Sequence, residues 1–373
     1  VSGSERYDAE ERCRMIGVIL GTRPEIIKMS PIIRECKRRG LDYFILHTGQ
    51  HYSYEMDRLF FEELELPEPN YSLDVGSGTH AGQTAKIMTG VEDVLQKESP
   101  DIVLVQGDTN TVMAGALAAS KLHVRVGHIE AGLRSFNRWM PEEINRVLTD
   151  HISDYLFAPT ESARKNLLAE GIPEQKICVT GNTVVDAIYQ NLDISRKKGN
   201  VLKDLDLEPS EYFLVTAHRQ ENVDNRTRLK EILKGLERVQ KEFSLPVVFP
   251  VHPRTEKRIK ELGIGVDGLN LTKPFGFLEF LQLESQARLV LTDSGGVQEE
   301  TCVLGVPCAT MRYDTERPET LDVGSNILVG ADSGRILEGV RSAATWRRGW
   351  ANPYGDGIAG KMIIMVCAAA RSQ

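Results

Sequence analysis

The stretch from Arg288 to Pro307 constrains the fold of this chain more than any other. The apolar run Leu289-Val290-Leu291-Thr292 ends in Asp293-Ser294-Gly295-Gly296 and passes directly into a helical pattern carrying Glu299 and Glu300. A buried parallel strand followed by a Gly-rich turn places backbone N–H groups and a helix N-terminus at one point, where an anionic phosphate is favoured. Ser294 adds a hydroxyl donor. Glu300, one helical turn further in, is too far from the loop to share those phosphates, and like charge would forbid it. It is better explained as an acceptor for paired hydroxyls such as those of a ribose. Strand, turn and acid together point to a nucleoside diphosphate; the bland alternative is a tight connection with no ligand.

The same rhythm runs almost from end to end. Short apolar runs alternate with amphipathic helical segments, which predicts a doubly wound α/β architecture with parallel sheets. Strands are expected near Met15 to Leu20, Tyr43 to His47, Ile102 to Gln106, Val124 to Ile129 and Tyr155 to Ala158. A second series follows at Tyr212 to Thr216, Val247 to Pro250, Leu289 to Thr292, Cys308 to Met311 and Ile327 to Val329. At 373 residues the chain exceeds one typical core, so two domains are expected. The pattern gives way around the polar run Ser195-Arg196-Lys197-Lys198-Gly199-Asn200. The predicted division is a polar extension at 1–13, a Rossmann-like domain at 14–190, a second at 191–350, and a turn and helix at 351–373 packing back on the first domain. Two such halves imply a cleft at the C-terminal ends of their strands.

Composition excludes several classes of function. Lys and Arg number 45 against 53 Asp and Glu, a net charge of -8, and no basic block stands out, so no nucleic-acid partner is expected. Six cysteines lack Cys-x-x-Cys spacing and fit reduced thiols in a cytoplasmic protein. The histidines form no zinc-like cluster, so no metal is expected. No apolar run reaches membrane-spanning length, and the polar opening segment does not read as a signal peptide.

Chemistry-bearing residues gather where strands end. The first strand runs into Gly21-Thr22-Arg23-Pro24-Glu25 and then Lys28, bringing two cations to a helix start. This is not the Gly-x-Gly-x-x-Gly fingerprint of a dinucleotide site. Asp108 follows the strand ending at Gln106, Glu130 follows the one ending at Ile129, and Glu142 stands beside Pro141 at a helix start. Each acid alone reads as a cap or a surface charge. Together they suit acid–base work, because clustered carboxylates repel and at least one is driven to hold a proton. In the second half, His218-Arg219 and His252 follow two consecutive strands, and a His beside an Arg suits phosphate binding or proton relay. Arg317 is expected on the rim of the Ser294 turn.

The ordered set Gly21 to Glu25, Gly107 to Thr109, His128 to Arg134, Pro141 to Glu143, Gly181 to Thr183, His218-Arg219, Asp293 to Glu300, Thr315 to Glu319 and Asn352 to Gly357 resembles the non-hydrolysing UDP-N-acetylglucosamine 2-epimerases. The resemblance covers the chain from about Arg14 to Gly360. It implies the two-domain glycosyltransferase B-type fold, a homodimer, and interconversion of UDP-N-acetylglucosamine and UDP-N-acetylmannosamine without an added redox cofactor. Carried over by position, it implies Asp108, Glu130, Glu142 and His218 as the catalytic set. Arg23, Lys28, Ser294, Gly295, Gly296, Glu300 and Arg317 would hold or support the UDP. Gln50 and His51 match part of an activating second UDP-N-acetylglucosamine site known in some bacterial relatives, with Arg219 and His252 as partners.

Chemistry narrows the mechanism. The C2 proton of a pyranose has no adjacent carbonyl, so the sugar must be oxidised first or must expel a leaving group as the proton departs. Without a dinucleotide fingerprint, elimination of UDP to a 2-acetamidoglucal and re-addition is the expected route. A hydrolysing epimerase, or a UDP-sugar glycosyltransferase of the same fold, would keep the UDP residues but give different products.

Overall fold

The computed structural model describes residues 15–50, 54–266 and 268–369. The expected polar extension and His51 lie outside these residues. The chain divides into two compact units, one running through Tyr189 and resuming at Tyr354, the other Gln190–Pro353.

In the first unit, β1 (Met15–Leu20), β2 (Asp42–His47), β3 (Tyr71–Ser72), β4 (Ile102–Gln106), β5 (Arg125–Ile129), β6 (Tyr155–Ala158) and β7 (Ile177–Val179) form one sheet in the order β3-β2-β1-β4-β5-β6-β7. All of its pairings are parallel. In the second unit, β8 (Phe213–Thr216), β9 (Val247–Pro250), β10 (Asn270–Thr272), β11 (Leu289–Thr292), β12 (Cys308–Thr310) and β13 (Asn326–Leu328) follow the order β10-β9-β8-β11-β12-β13. These pairings are parallel as well. Both units are therefore doubly wound and Rossmann-like. Strand order reverses between β1 and β4 in one and between β8 and β11 in the other, and such reversal points are where open α/β sheets bind ligands.

The apolar runs form these sheets because helices cover both faces. Every residue of β4 and of β11 is buried, as a central parallel strand requires. Around β4, Ile19, Leu46, Val105 and Val112 share one core, each fully buried side chain of this size contributing about 1.5–3 kcal/mol. Three strands were not anticipated, β3, β7 and β10, and each lies at a sheet edge.

The helix Arg23–Arg39 starts at an N-cap Thr22 with Glu25 closing a capping box, and ends on Gly40 in the left-handed region at φ 63°. Pro31 inside it cannot donate to the Ile27 carbonyl; the Ser30 hydroxyl does so instead, at 2.8 Å. The helix Ala359–Ala369 docks on the same unit. Its first amides, Ala359 N and Gly360 N, donate to the Asp186 carboxylate at 3.2 and 3.0 Å. The approach is close at Gly360, where a Cβ would stand 3.1 Å from Pro31 Cβ. The division between the units falls inside the helix Thr183–Lys198, so the polar run from Ser195 is mostly the basic last turn of a helix.

Candidate active site

At the reversal point of the first sheet, the loop after β1 presses against the loop after β2 and the first turn of the helix Asn110–Lys121 that follows β4. A Cβ on Gly21 would lie 2.0 Å from Thr48 Oγ1 and 2.4 Å from Thr111 Oγ1, so only glycine fits. Glu25 turns inward beneath this loop. Its carboxylate accepts from Gly21 N at 2.6 Å, Thr22 N at 3.1 Å and Thr109 Oγ1 at 2.6 Å. Burial outweighs these donors, and with nearby Asp108 adding repulsion the Glu25 carboxyl is raised to about 7.

Glu130 occupies the end of β5 with φ 68°, a left-handed conformation that strains a side chain other than glycine. It is 7% exposed and gripped by three donors. Lys28 Nζ lies 2.6 Å and Asn182 Nδ2 2.9 Å from Oε1, while Gln106 Nε2 lies 2.5 Å from Oε2. Asp108, on the neighbouring loop, pairs with Arg146 Nη2, and its backbone carbonyl accepts from Asn145 Nδ2 at 2.9 Å. Glu130 thus has Lys28 as its cation, and Asp108 has Arg146.

The Pro141–Ile152 helix presents its first-turn acids differently. Glu142 is exposed, whereas its neighbour Glu143 is buried. Glu143 accepts from Ser135 N at 2.8 Å and Phe136 N at 2.9 Å, and Arg146 Nη1 stands 3.0 Å away, shared with Asp108. Burial alone would raise the Glu143 carboxyl, but these donors hold it below the ordinary carboxylate range. Arg23 lies with its guanidinium 5.7 Å from the Phe60 ring centre. Gln50 is buried, its Oε1 accepting from Thr111 Oγ1 at 2.9 Å and its carbonyl from Gln83 Nε2 at 3.2 Å. His128 is a core group, with Nδ1 2.6 Å from Asp150 and Nε2 2.8 Å from the Gly107 carbonyl.

At the reversal point of the second sheet, Asp293 is the organising residue. Its fully buried carboxylate accepts from His218 N and Arg219 N at 3.1 Å and from Asn222 Nδ2 at 3.2 Å. His218 Nδ1 is 3.3 Å from Asp293 Oδ1. Burial lowers the His218 imidazole below its usual range, opposed by Asp293 and reinforced by Arg219 and His252. The His252 ring centre is 6.4 Å away, and His252 itself serves as a helix N-cap, its Nδ1 accepting from Arg254 N at 3.2 Å. Arg219 Nη2 stands 3.7 Å from Glu316.

Ser294 is the N-cap of the Gly295–Leu304 helix, but its hydroxyl makes no cap bond. Gly295 and Gly296 therefore open a helix whose first amides point to the turn. Arg317 is anchored on the second turn of that helix, its Nε 2.6 Å from the buried Glu299 carboxylate. Glu300 is half-buried, and its charge adds to burial in raising the carboxyl of the buried Glu284.

Several participants were legible only in part. Thr22-x-x-Glu25 has the spacing of a capping box, yet nothing local announces that the acid is buried. Gln106 carries no signal beyond ending a strand, and Asn182 is marked only by the Gly181 to Thr183 motif, which names no role for it. Among the described residues no group of three or more His, Cys, Asp and Glu is arranged to hold a metal ion, and no helix is long and apolar enough to cross a membrane.

Comparison with known proteins gives this geometry a context. The family model described as UDP-N-acetylglucosamine 2-epimerase matches residues 34–368. The UDP-N-acetylglucosamine 2-epimerase of Methanocaldococcus jannaschii is 55% identical over 358 residues, covering 94% of this chain and 98% of the relative. A crystal structure of the Methanocaldococcus jannaschii enzyme in complex with UDP-GlcNAc and UDP superposes with a TM-score of 0.83 at 55% identity, covering 94% of this chain and 99% of the other. The UDP-2,3-diacetamido-2,3-dideoxy-D-glucuronate 2-epimerase of Pseudomonas aeruginosa is 45% identical over 329 residues, covering 87% of this chain and 91% of the relative. Agreement at this level assigns the two Rossmann-like units to the glycosyltransferase B-type fold. With its family model matched over most of its length, this chain belongs to the UDP-N-acetylglucosamine 2-epimerase family.

Proposed function

We propose that this protein interconverts UDP-N-acetylglucosamine and UDP-N-acetylmannosamine without releasing free sugar, by eliminating UDP to a 2-acetamidoglucal and adding it back. The observation that carries this reading is Glu130, left-handed in its backbone and with its carboxylate held by Lys28, Gln106 and Asn182. Such strain in a family of this activity is best explained by a carboxylate whose position matters to the chemistry.

In the forward step the C1–O bond breaks with its electron pair leaving on UDP, the C2 proton passes to a base, and C1 and C2 become doubly bonded. Reprotonation at C2 from the other face and return of UDP complete the epimerisation. Glu130, Asp108 and Glu142 form the proposed acid–base set in the first unit, with their negative charge also stabilising the oxocarbenium-like C1. Glu130 is favoured as the base. In the second unit, the Ser294 turn with Gly295 and Gly296 and Arg317 meet the charge growing on UDP, Glu300 accepts from the ribose, and His218 stands by the leaving phosphate. Arg23 and Lys28 support the anion. Gln50, with Arg219, His252 and His51, is kept as a proposed regulatory set; the buried Gln50 side chain and the capping role of His252 weigh against a direct part for those two. A cytoplasmic homodimer completes the proposal, with light scattering as the test of assembly.

The deciding experiment is incubation of the protein with UDP-N-acetylglucosamine alone in deuterium oxide, followed by NMR. Both UDP-sugars should appear, each carrying deuterium at C2. Accumulation of free N-acetylmannosamine with UDP would identify a hydrolysing enzyme, and retention of the C2 hydrogen would reject proton exchange. The same assay with UDP-2,3-diacetamido-2,3-dideoxy-D-glucuronate tests whether the sugar preference follows the Pseudomonas aeruginosa relative.

A further inference from the structure

The Pro141–Ile152 helix carries more than the acids of its first turn. Asp150, near its far end, is fully buried with both oxygens engaged. Oδ1 lies 2.6 Å from His128 Nδ1, while Oδ2 accepts from Gly132 N at 3.1 Å and faces Arg134 Nη2 at 2.7 Å. Arg134 is in turn paired with Glu170, its Nε 2.7 Å from Oε1. Burial alone would raise the Asp150 carboxyl, but His128 and Arg134 hold it below the ordinary carboxylate range. An ionised carboxylate can only accept, and so can the Gly107 carbonyl 2.8 Å from His128 Nε2. Both ring nitrogens of His128 therefore donate.

These bonds reach the two turns that carry the candidate acids. Gly107 stands directly before Asp108, and Gly132 two places after Glu130. Gly107, Glu130 and Gly132 all have left-handed backbones, at φ 88°, 68° and 80°, and Gly107 N donates to the Ile129 carbonyl at 3.0 Å. A side chain such as Glu130 keeps that conformation only where the surrounding structure over-determines it. Asn145 and Arg146, on the same helix, hold the Asp108 turn: Asn145 Nδ2 donates to the Asp108 carbonyl at 2.9 Å, and Arg146 pairs with its carboxylate. Asp150 serves both turns, one through His128 and the other directly.

We propose that Asp150 is a positioning residue for the two candidate acids: through His128 it holds the Gly107 carbonyl ahead of Asp108, and directly it holds the Gly132 amide beyond Glu130. The proposal rests on the reading of Asp108 and Glu130 as acid–base groups. Asp150 and His128 are both fully buried, so their effect passes through the backbone of the two turns. Displacing a reacting group by about 1 Å can cost 10²-fold in rate. Loss of the tether should therefore appear in kcat rather than in UDP binding, whose proposed ligands are other residues.

Steady-state turnover of UDP-N-acetylglucosamine, read beside calorimetric affinity for UDP and the urea unfolding midpoint, tests this. Asp150→Ala should lower kcat by about 10- to 100-fold with the UDP dissociation constant unchanged. A purely structural role would lower the unfolding midpoint and leave kcat of the folded protein as it was. Asp150→Asn should recover most of the lost turnover, because its amide nitrogen can donate to His128 Nδ1 while its oxygen still accepts from Gly132 N and Arg134. His128→Leu removes the Gly107 arm alone and should also slow turnover; it carries the test if Asp150→Ala does not fold. A folded Asp150→Ala or His128→Leu protein that turns over at the wild-type rate overturns the proposal, as does Asp150→Asn as slow as Asp150→Ala. Glu130→Gln and Asp108→Asn, assayed alongside, separate the two readings. If they are slow while Asp150→Ala is fast, only the positioning role falls; if both turn over as the wild type does, the acid–base reading falls and this inference with it.

Discussion

Lys28 Nζ reaches across to Glu130 Oε1 at 2.6 Å, joining the first turns of one helix to the end of β5, residues separated by 102 positions in the chain. The contact gives Glu130 a cation that offsets its burial, and Gln106 and Asn182 complete its orientation. Glu130→Gln keeps the shape of this cluster but removes the base. Its turnover should fall by about 10²–10⁴-fold, the usual worth of a positioned acid or base, with UDP affinity nearly unchanged. Steady-state rates within tenfold of wild type would exclude Glu130 from proton transfer.

The Glu25 carboxyl should leave a signature in the pH dependence of stability. Burial raises it from 4.5 to about 7, so the folded protein binds its proton more tightly than the unfolded chain. Stability from this group is then fully present below about pH 4.5 and is lost as pH rises towards 7, by roughly 3 kcal/mol in all. Glu25→Gln should flatten that decline when urea unfolding is compared at the two ends of the window. An unchanged slope would mean the carboxyl titrates normally.

Asp293 holds the His218 loop through two backbone amides and Asn222. In Asp293→Asn an amide N–H₂ must face at least one of those donors, leaving a buried mismatch that costs about 1–3 kcal/mol. Thermal unfolding of the variant should show that loss, together with weaker UDP binding. Restoration of both in any single-residue neighbour change at Asn222 would contradict the assignment of Asp293 as the shared acceptor.

Glu300→Ala should weaken UDP binding by roughly 1–3 kcal/mol, the worth of charge-assisted hydrogen bonds to the ribose. Calorimetry reads this directly, and equal affinity would remove Glu300 from the ligand.

The strands that were legible in advance are those whose both faces are covered. β1, β4, β6, β9 and β11 begin and end where their apolar runs do. β3, β7 and β10 were not legible because each has only one neighbouring strand and no fully buried residue, so no apolar run marks it. The candidate site divides in the same way. The turns after β1, β4, β5 and β11 follow from strand ends, punctuated by Gly21, Gly107 and Gly295, and their acids and cations could be named from position alone.

What the sequence by itself determined was periodicity and punctuation: two parallel α/β halves, the loops at their strand ends, and the residue types on those loops. Which side chain turns inward was decided only by the tertiary structure. Adjacent positions on a helix differ by about 100° in direction, and Glu143 rather than Glu142 is the buried acid of its turn. The partners are distant as well: Lys28 with Glu130, Asn182 with Glu130, Arg146 with Asp108. Hydrogen bonds of this kind depend on where separate elements come to rest, and the hydrophobic burial that places those elements is insensitive to which polar groups meet at their ends.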